Sequence, residues 1–454
     1  MPLEYFEQRE RSLLGSRCEA LYAAPEELPA RGLTVNGLRC TPERFAELAD
    51  FALEPSPFCA EGFVVRDPAF RPGRHPYHHA GVFYSQEPSA SAPAALLEVR
   101  PGMRVLDLCA APGGKSSQLA AALGGQGLLV SNEYDPGRAE ALKSNLERMG
   151  AANAVVTNAA PAALAAALPG FFDRVLVDAP CSGEGMFRKE PQAMAQHGPA
   201  LVRQCAALGA KILESAAALL APGGLLVYST CTFSPEEDEG QAGAFLAAHP
   251  DFELADCGVG FGSPGEENRC GGFSLDTAKV RRIWPCQGGE GHFMAKFRKK
   301  GESGGQARAS KPPRCAKAPP EWAAFAQQYF PFLAGLPLLA AGELLLLPPA
   351  AGLPPLPKGV RVLRCGVALG RVQKGRFEPA HHLFTAFGAR CENKEELLLA
   401  DSRTAAWLRG EEIGAQTARP GWCCVLVDGF PLGAGKASGG RVKNHYPKAL
   451  RNLG

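Results

Sequence analysis

The stretch Val105-Leu-Asp-Leu-Cys-Ala-Ala-Pro-Gly-Gly-Lys-Ser116 decides the fold. An apolar run ends on a carboxylate, Asp107, and a Pro-Gly-Gly turn then leads into a helical pattern. Glycines at 113 and 114 would let backbone amides approach a ligand, and the helix start adds a partial positive charge. A phosphate-binding loop requires G-x-x-x-x-G-K-[ST]; Gly114, Lys115 and Ser116 fit, but Cys109 stands where the first glycine belongs. Nor does Asp107 to Gly114 match the dinucleotide fingerprint G-x-G-x-x-G. The next apolar run ends Val130-Ser-Asn-Glu-Tyr-Asp135. At that strand end Glu133 can accept hydrogen bonds from both ribose hydroxyls of a nucleoside. The turn at Gly113 and Gly114, together with Glu133, is therefore expected to face a nucleoside cofactor.

Outward from this turn, short strand-like runs alternate with Ala-rich helical segments, the pattern of βαβ units around a largely parallel sheet. Strands are expected over 104–110, 128–133, 154–157, 174–179, 225–230 and 292–297, with helices near 115–123, 136–149 and 201–220. Residues 1–99 form an N-terminal extension containing a polar, His-rich stretch, Arg71 to His79, that reads as loop. Residues 100–299 carry the sheet. The Gly-, Ser-, Lys- and Pro-rich run over 300–320 reads as a flexible basic linker between two folding units. Residues 321–454 read as a smaller β-rich or α+β module. After its last acid, Asp428, come Lys436, Arg441, Lys443, His445, Tyr446, Lys448 and Arg451, an excess of positive charge suited to phosphates.

A chain of 454 residues with 46% hydrophobic side chains can build two or three domains. Its net charge of +2 leaves any nucleic-acid surface to be local. With no signal-peptide pattern and no uninterrupted apolar run of spanning length, a soluble cytoplasmic protein without a membrane partner is expected. The 15 cysteines are scattered and show no C-x-x-C spacing, so reduced thiols are expected and a metal site is not.

Two further strand ends carry cysteines: Asp178-Ala-Pro-Cys181-Ser-Gly and Ser229-Thr-Cys231-Thr. Ligands in such sheets bind at the carboxyl ends of strands, so both thiols should face the crevice of the cofactor turn. Cytosine C5 attacks a methyl sulfonium poorly, but a thiolate added to C6 makes C5 enamine-like. The adduct needs polarisation at N3 and N4, a task for a carboxyl such as Asp178, followed by loss of the C5 proton.

Together Leu108-Cys-Ala-Ala-Pro-Gly-Gly-Lys115, Asp178-Ala-Pro-Cys-Ser-Gly-Glu-Gly185 and Ser229-Thr-Cys-Thr232 resemble the NOL1/NOP2/Sun family of RNA cytosine-5 methyltransferases. Tyr77 to Ala90 is similar to that family's segment before the first strand. Lys443-Asn-His-Tyr-Pro-Lys448 is similar to the ending of its bacterial RsmF branch. The resemblance spans nearly the whole chain. It implies a Rossmann-like class I methyltransferase sheet, α/β and mostly parallel with about seven strands, and a C-terminal PUA-like RNA-binding module. It also implies S-adenosylmethionine as cofactor, with Cys109, Ala110, Ala111, Pro112, Gly113, Gly114 and Lys115 around its methionine part and ribose, Glu133 on the ribose hydroxyls, Arg138 and Asn158 near the adenosine, and Asp178 between cofactor and base. Cys231 is implied as the nucleophile, and Cys181 as the thiol that promotes product release. Many relatives have an acid where this chain has Asn158. The implied partner is RNA, above all 16S ribosomal RNA, acted on by a monomer. A ribosome-assembly role with vestigial chemistry, or a tRNA or DNA substrate, are the competing readings.

Overall fold

The computed structural model describes residues 2–25, 28–302 and 315–451. The chain opens with helix α1 (Pro2–Leu14), followed by a four-stranded antiparallel sheet in the order β2-β3-β1-β4. Its strands are β1 (Gly32–Val35), β2 (Leu53–Pro55), β3 (Gly62–Val65) and β4 (Phe83–Gln86). The stretch Arg71 to His79 is not all loop. His75 Nδ1 accepts the Tyr77 amide at 3.1 Å and starts a short helix, Pro76–His79.

The central sheet contains β5 (Arg104–Asp107), β6 (Leu128–Glu133), β7 (Ala154–Asn158), β8 (Phe172–Asp178) and β9 (Leu220–Thr230), all parallel. Antiparallel β10 (Phe252–Ala255), β11 (Arg281–Ile283) and β12 (His292–Lys299) complete one side. The order β10-β12-β9-β8-β5-β6-β7 is the expected seven-strand, mostly parallel core. Alternate side chains explain why the parallel strands read as continuous apolar runs. Leu106, Val130, Val155, Val175 and Val177 pack on one face, and Val105, Leu129, Ala154, Val156 and Leu176 on the other. Helices α2 (Gly114–Ala122), α3 (Pro136–Arg148) and α4 (Pro199–Leu219) follow β5, β6 and the loop after β8. In α3 the Asp135 carboxylate caps the Arg138 amide at 2.8 Å, and Ala139, Leu142 and Leu146 form the buried stripe. A cap of this kind stabilises a helix by about 1 kcal/mol.

The sheet has nine strands, because one crosses from beyond the linker. Residues Arg361–Cys365 pair antiparallel with β7, placing Arg361 opposite Asn158 and Cys365 opposite Val155. Arg364 donates to the carbonyls of Ala151 and Gly366 and fastens the strand. The linker thus does not separate two independent folding units, since unpaired amides along β7 find their partners 200 residues downstream. Most of the predicted linker, 303–314, lies outside the described residues. The remaining C-terminal strands form a four-stranded and a five-stranded sheet.

Candidate functional site

Between β5 and α2 the chain turns through Leu108 to Gly113, with a cis Ala111–Pro112 bond. The carboxyl ends of β5, β6, β8 and β9 meet here at a cavity of about 530 Å³. Among its lining residues are Cys109, Ala111, Glu133, Arg138, Asp178, Cys181 and Cys231, so seven predicted site residues converge. Ala110, Pro112, Gly113, Gly114, Lys115 and Asn158 do not line it.

The two glycines also serve packing. A Cβ on Gly114 would sit 2.4 Å from Gln86 Oε1, and one on Gly113 would sit 3.2 Å from Leu142 Cδ1. Gly113 also has φ 118°, in the left-handed region that favours glycine. Their smallness lets β4 and α3 close on the turn. Lys115 reaches the site only through its tip, with Nζ 2.8 Å from Asp178 Oδ2.

Asp178 stands opposite Ser229 in the β8–β9 ladder, and the Ser229 hydroxyl donates to Oδ1 at 2.7 Å. Burial alone would raise the Asp178 pKa, but Lys115 and His292 outweigh it and hold the carboxyl well below its ordinary range. Asp178 is therefore a carboxylate, able to accept hydrogen bonds and unable to donate one. Asp107, fully buried, is instead pushed up to about 7 by burial, with Ser116 Oγ donating to Oδ2 at 2.8 Å and Oδ1 left without a partner.

The cysteine sulfurs lie 3.4 Å apart. The Cys181 thiol is pushed well above its ordinary range, first by its hydrogen bond with Cys231 and then by burial. It thus keeps its proton beside the other sulfur. Across the cavity Glu133 is 5% exposed; its Oε1 accepts the Asp135 amide at 2.9 Å and its Oε2 lies 3.5 Å from Arg138 Nη1. Arg138 also donates to the Ala111 carbonyl at 2.8 Å, bridging the turn to the end of β6. The Asn158 amide donates to the carbonyls of Glu133 and Tyr134 at 2.9 and 2.8 Å, which shapes this wall from behind and leaves Oδ1 to accept.

Sequence reasoning missed Tyr134, Leu208 and Ile212. Tyr134 is 71% exposed at the cavity, and Leu208 and Ile212 present a turn of α4 to it. An aromatic residue directly after a strand-ending acid was a readable signal; a leucine within an apolar helix was not.

On the hairpin formed by Phe430–Ser438 and Arg441–Asn444, Lys436 and Lys443 are exposed ladder partners. The Lys436 ammonium lies 5.6 Å from the Trp422 ring centroid, and His445 stands edge-on to the same ring at 4.7 Å. Arg441 pairs with Glu412, and Lys448 is exposed. Tyr446 corrects the expectation of an RNA-facing side chain. It is 3% exposed, sits in the core, and its hydroxyl lies 2.9 Å from His79 Nδ1. Among the described residues no three His, Cys, Asp or Glu side chains are arranged as metal ligands, and no helix is long and apolar enough to cross a membrane.

Residues 94–298 match the family profile described as 16S rRNA methyltransferase RsmB/F. Residues 1–88 match the N-terminal domain of 16S rRNA methyltransferase RsmF, 324–387 the RsmF rRNA methyltransferase first C-terminal domain, and 394–452 the methyltransferase RsmF PUA domain. The ribosomal RNA small subunit methyltransferase F of Klebsiella pneumoniae (strain 342) is 34% identical over 92% of this chain and 90% of its own. That of Shewanella amazonensis is 32% identical over 93% and 92%. Among solved structures, a methyltransferase homolog protein from Pyrococcus horikoshii is 30% identical, with TM-score 0.56, over 65% of this chain and 94% of its own. NSun6 from Pyrococcus horikoshii, solved with SFG, shares the fold at 20% identity and TM-score 0.55 over 66% and 98%. With this similarity running from the N-terminal helix to the terminal hairpin around a methyltransferase sheet, the chain belongs to the RsmF family of small-subunit ribosomal RNA methyltransferases.

Proposed function

We propose that this methyltransferase acts on carbon 5 of a cytosine in RNA, in 16S ribosomal RNA as its relatives' names indicate, through a covalent bond between Cys231 Sγ and C6. The observation that carries the reading is the contact of the two sulfurs at one end of a cavity whose other end holds Glu133. The donor set fits S-adenosylmethionine. Glu133 offers a carboxylate to a ribose diol, while Tyr134, Leu208 and Ile212 offer an aromatic and apolar wall to adenine. Asp178 supplies negative charge toward a sulfonium. Arg138, Cys109 and Ala111 would complete the cofactor's surroundings, and Asn158 would hold the Glu133 and Tyr134 backbone in place behind the adenine wall. When bound, the cofactor supplies an electrophilic methyl group.

The chain's own residues account for activation of the base. An extruded cytosine enters the crevice beside Cys231. Its thiolate adds to C6, the C5–C6 π electrons move onto C5, and the ionised Asp178 accepts a hydrogen bond from the N4 amino group, favouring the polarised ring. Asp178 has no proton for N3; the Lys115 ammonium, 2.8 Å from it, brings protons into that corner. After C5 is methylated its proton passes to solvent water, the C5–H electron pair re-forms the C5–C6 double bond, and the C6–S bond breaks with its pair on the Cys231 sulfur. Cys181, protonated and in contact, donates a hydrogen bond to that sulfur and so promotes its release. Lys436, Lys443, His445, Lys448 and Arg441 would hold RNA phosphates on the PUA-domain hairpin.

Bisulfite mapping of total RNA from cells with and without the gene tests the product. One cytosine or more should lose protection when the gene is absent. An unchanged pattern would favour an assembly role instead.

A further inference from the structure

Glu184 lies three residues after Cys181, is 3% exposed, and does not line the cavity. Its Oε1 accepts from Arg9 Nη1 at 2.8 Å and stands 2.7 Å from His197 Nε2. Its Oε2 accepts from Arg9 Nη2 at 2.7 Å and from the Phe233 backbone amide at 3.0 Å. Phe233 is two residues after Cys231. Its carbonyl accepts from Arg269 Nη1 at 2.7 Å. Arg269 pairs with Glu10, and Glu10 accepts from Arg9 Nε at 2.8 Å and from the Tyr22 hydroxyl at 2.8 Å. Arg269, Glu10, Arg9 and Glu184 thus form a chain of alternating charge whose two ends hold the two polar atoms of one peptide residue. The adjoining Gly185 amide donates to the carbonyl of Cys231 itself at 2.8 Å.

Two of the four charges in that chain belong to α1. A buried carboxylate without its cation is strongly unfavourable, and a guanidinium fork on a carboxylate fixes angle as well as distance. Burial would raise the Glu184 pKa, but His197 and Arg9 bring it down to about 2, so the carboxylate stays charged for its partners. Phe6 adds packing from the same helix, with its ring centroid 6.4 Å from that of Phe233.

We propose that Arg9, acting through Glu184, is a positioning residue for Cys231, so that the N-terminal helix is a working part of the catalytic centre. This rests on Cys231 being the nucleophile. Neither Arg9 nor Glu184 lines the cavity; they set where the sulfur stands.

The test uses the full chain with Arg9→Met and Arg9→Lys. Three quantities are measured: kcat and KM for methyl transfer to RNA, melting temperature, and the rate at which iodoacetamide alkylates Cys231 without RNA, followed by peptide mass spectrometry. A small misplacement of a reacting atom lowers turnover on the order of 10²-fold. Arg9→Met should therefore lose about that much in kcat, keep KM for S-adenosylmethionine within about twofold, and alkylate several-fold faster as the loop loosens. Arg9→Lys, which keeps the charge and loses the fork, should fall between the two, and it carries the test if Arg9→Met does not fold. Unchanged kcat and alkylation in the folded variants, with only the melting temperature lowered, would overturn the proposal. If the wild-type chain methylates no RNA, the function proposed above fails, and alkylation alone decides this inference: a faster rate supports it and an unchanged rate ends it.

Discussion

The crevice at the strand ends and the terminal hairpin use charge in opposite ways. In the crevice Lys115 and Asp178 are paired at 2.8 Å, and Asp107 lies fully buried behind them. On the hairpin Lys436 and Lys443 face each other across the ladder, exposed and of like sign. Charges paired in a low-dielectric setting interact strongly and resist screening, so Lys115 and Asp178 are held to one geometry and one charge state. Exposed lysines gain little from neighbours, and like charges opposite one another are mildly unfavourable until an anion covers them. The difference separates a region built to perform chemistry from one suited to hold a polyanion in place.

Substitutions in the two regions should diverge accordingly. Cys231→Ala should lower transfer of labelled methyl on the order of 10⁴-fold while RNA affinity by filter binding stays unchanged; retained transfer would show that the crevice does not work through this sulfur. Asp178→Asn should reduce kcat roughly 10²- to 10³-fold with little response to salt. A loss that shrinks in high salt would place Asp178 with the surface charges. Lys436→Ala combined with Lys443→Ala should weaken RNA binding about tenfold at low salt and flatten the log–log salt slope by about two, leaving kcat alone. An unaltered slope would remove the hairpin from the RNA path.

The smallest effect is one of stability. Asp107 has a folded pKa of about 7, above its ordinary value near 4, so the folded state keeps a proton that the unfolded chain releases. Stability from this group is therefore greatest below about pH 4, declines as pH rises toward about 7, and is flat beyond. Asp107→Asn should flatten part of that decline, read as a melting temperature that falls a few degrees less than wild type between pH 5 and pH 8. Glu237, also pushed up to about 7 by burial, adds a decline of the same sign in both proteins, and buried histidines such as His78 and His382, whose pKa burial lowers, oppose it in both.

Much of the crevice was legible because strand-ending acids and cysteines occur at fixed places in βαβ units. Glu133, Asp178, Cys181 and Cys231 needed only the rule that ligands bind at the carboxyl ends of parallel strands. The packing purpose of Gly113 and Gly114 was not legible, since a glycine that admits a ligand and one that admits Gln86 read alike. Tyr446 was misread because its neighbours along the chain are basic and exposed, whereas its ring packs toward His79 and His381. Glu184 stood inside a quoted motif, yet its partners Arg9 and Phe233 are distant in sequence, and local pattern carries no such pairing. The strand Arg361–Cys365 was hidden for the same reason: its partner was already assigned to a complete-looking sheet.

That late strand has a consequence for how the chain can be made and cut. A ribosome that has delivered residues 100–299 has produced the parallel core with the outer rim of β7 bare, an open template for pairing with another chain. Closure must wait until residue 365 emerges. A fragment ending at residue 299 would keep that rim permanently and should self-associate, whereas one ending after the strand should stay dispersed.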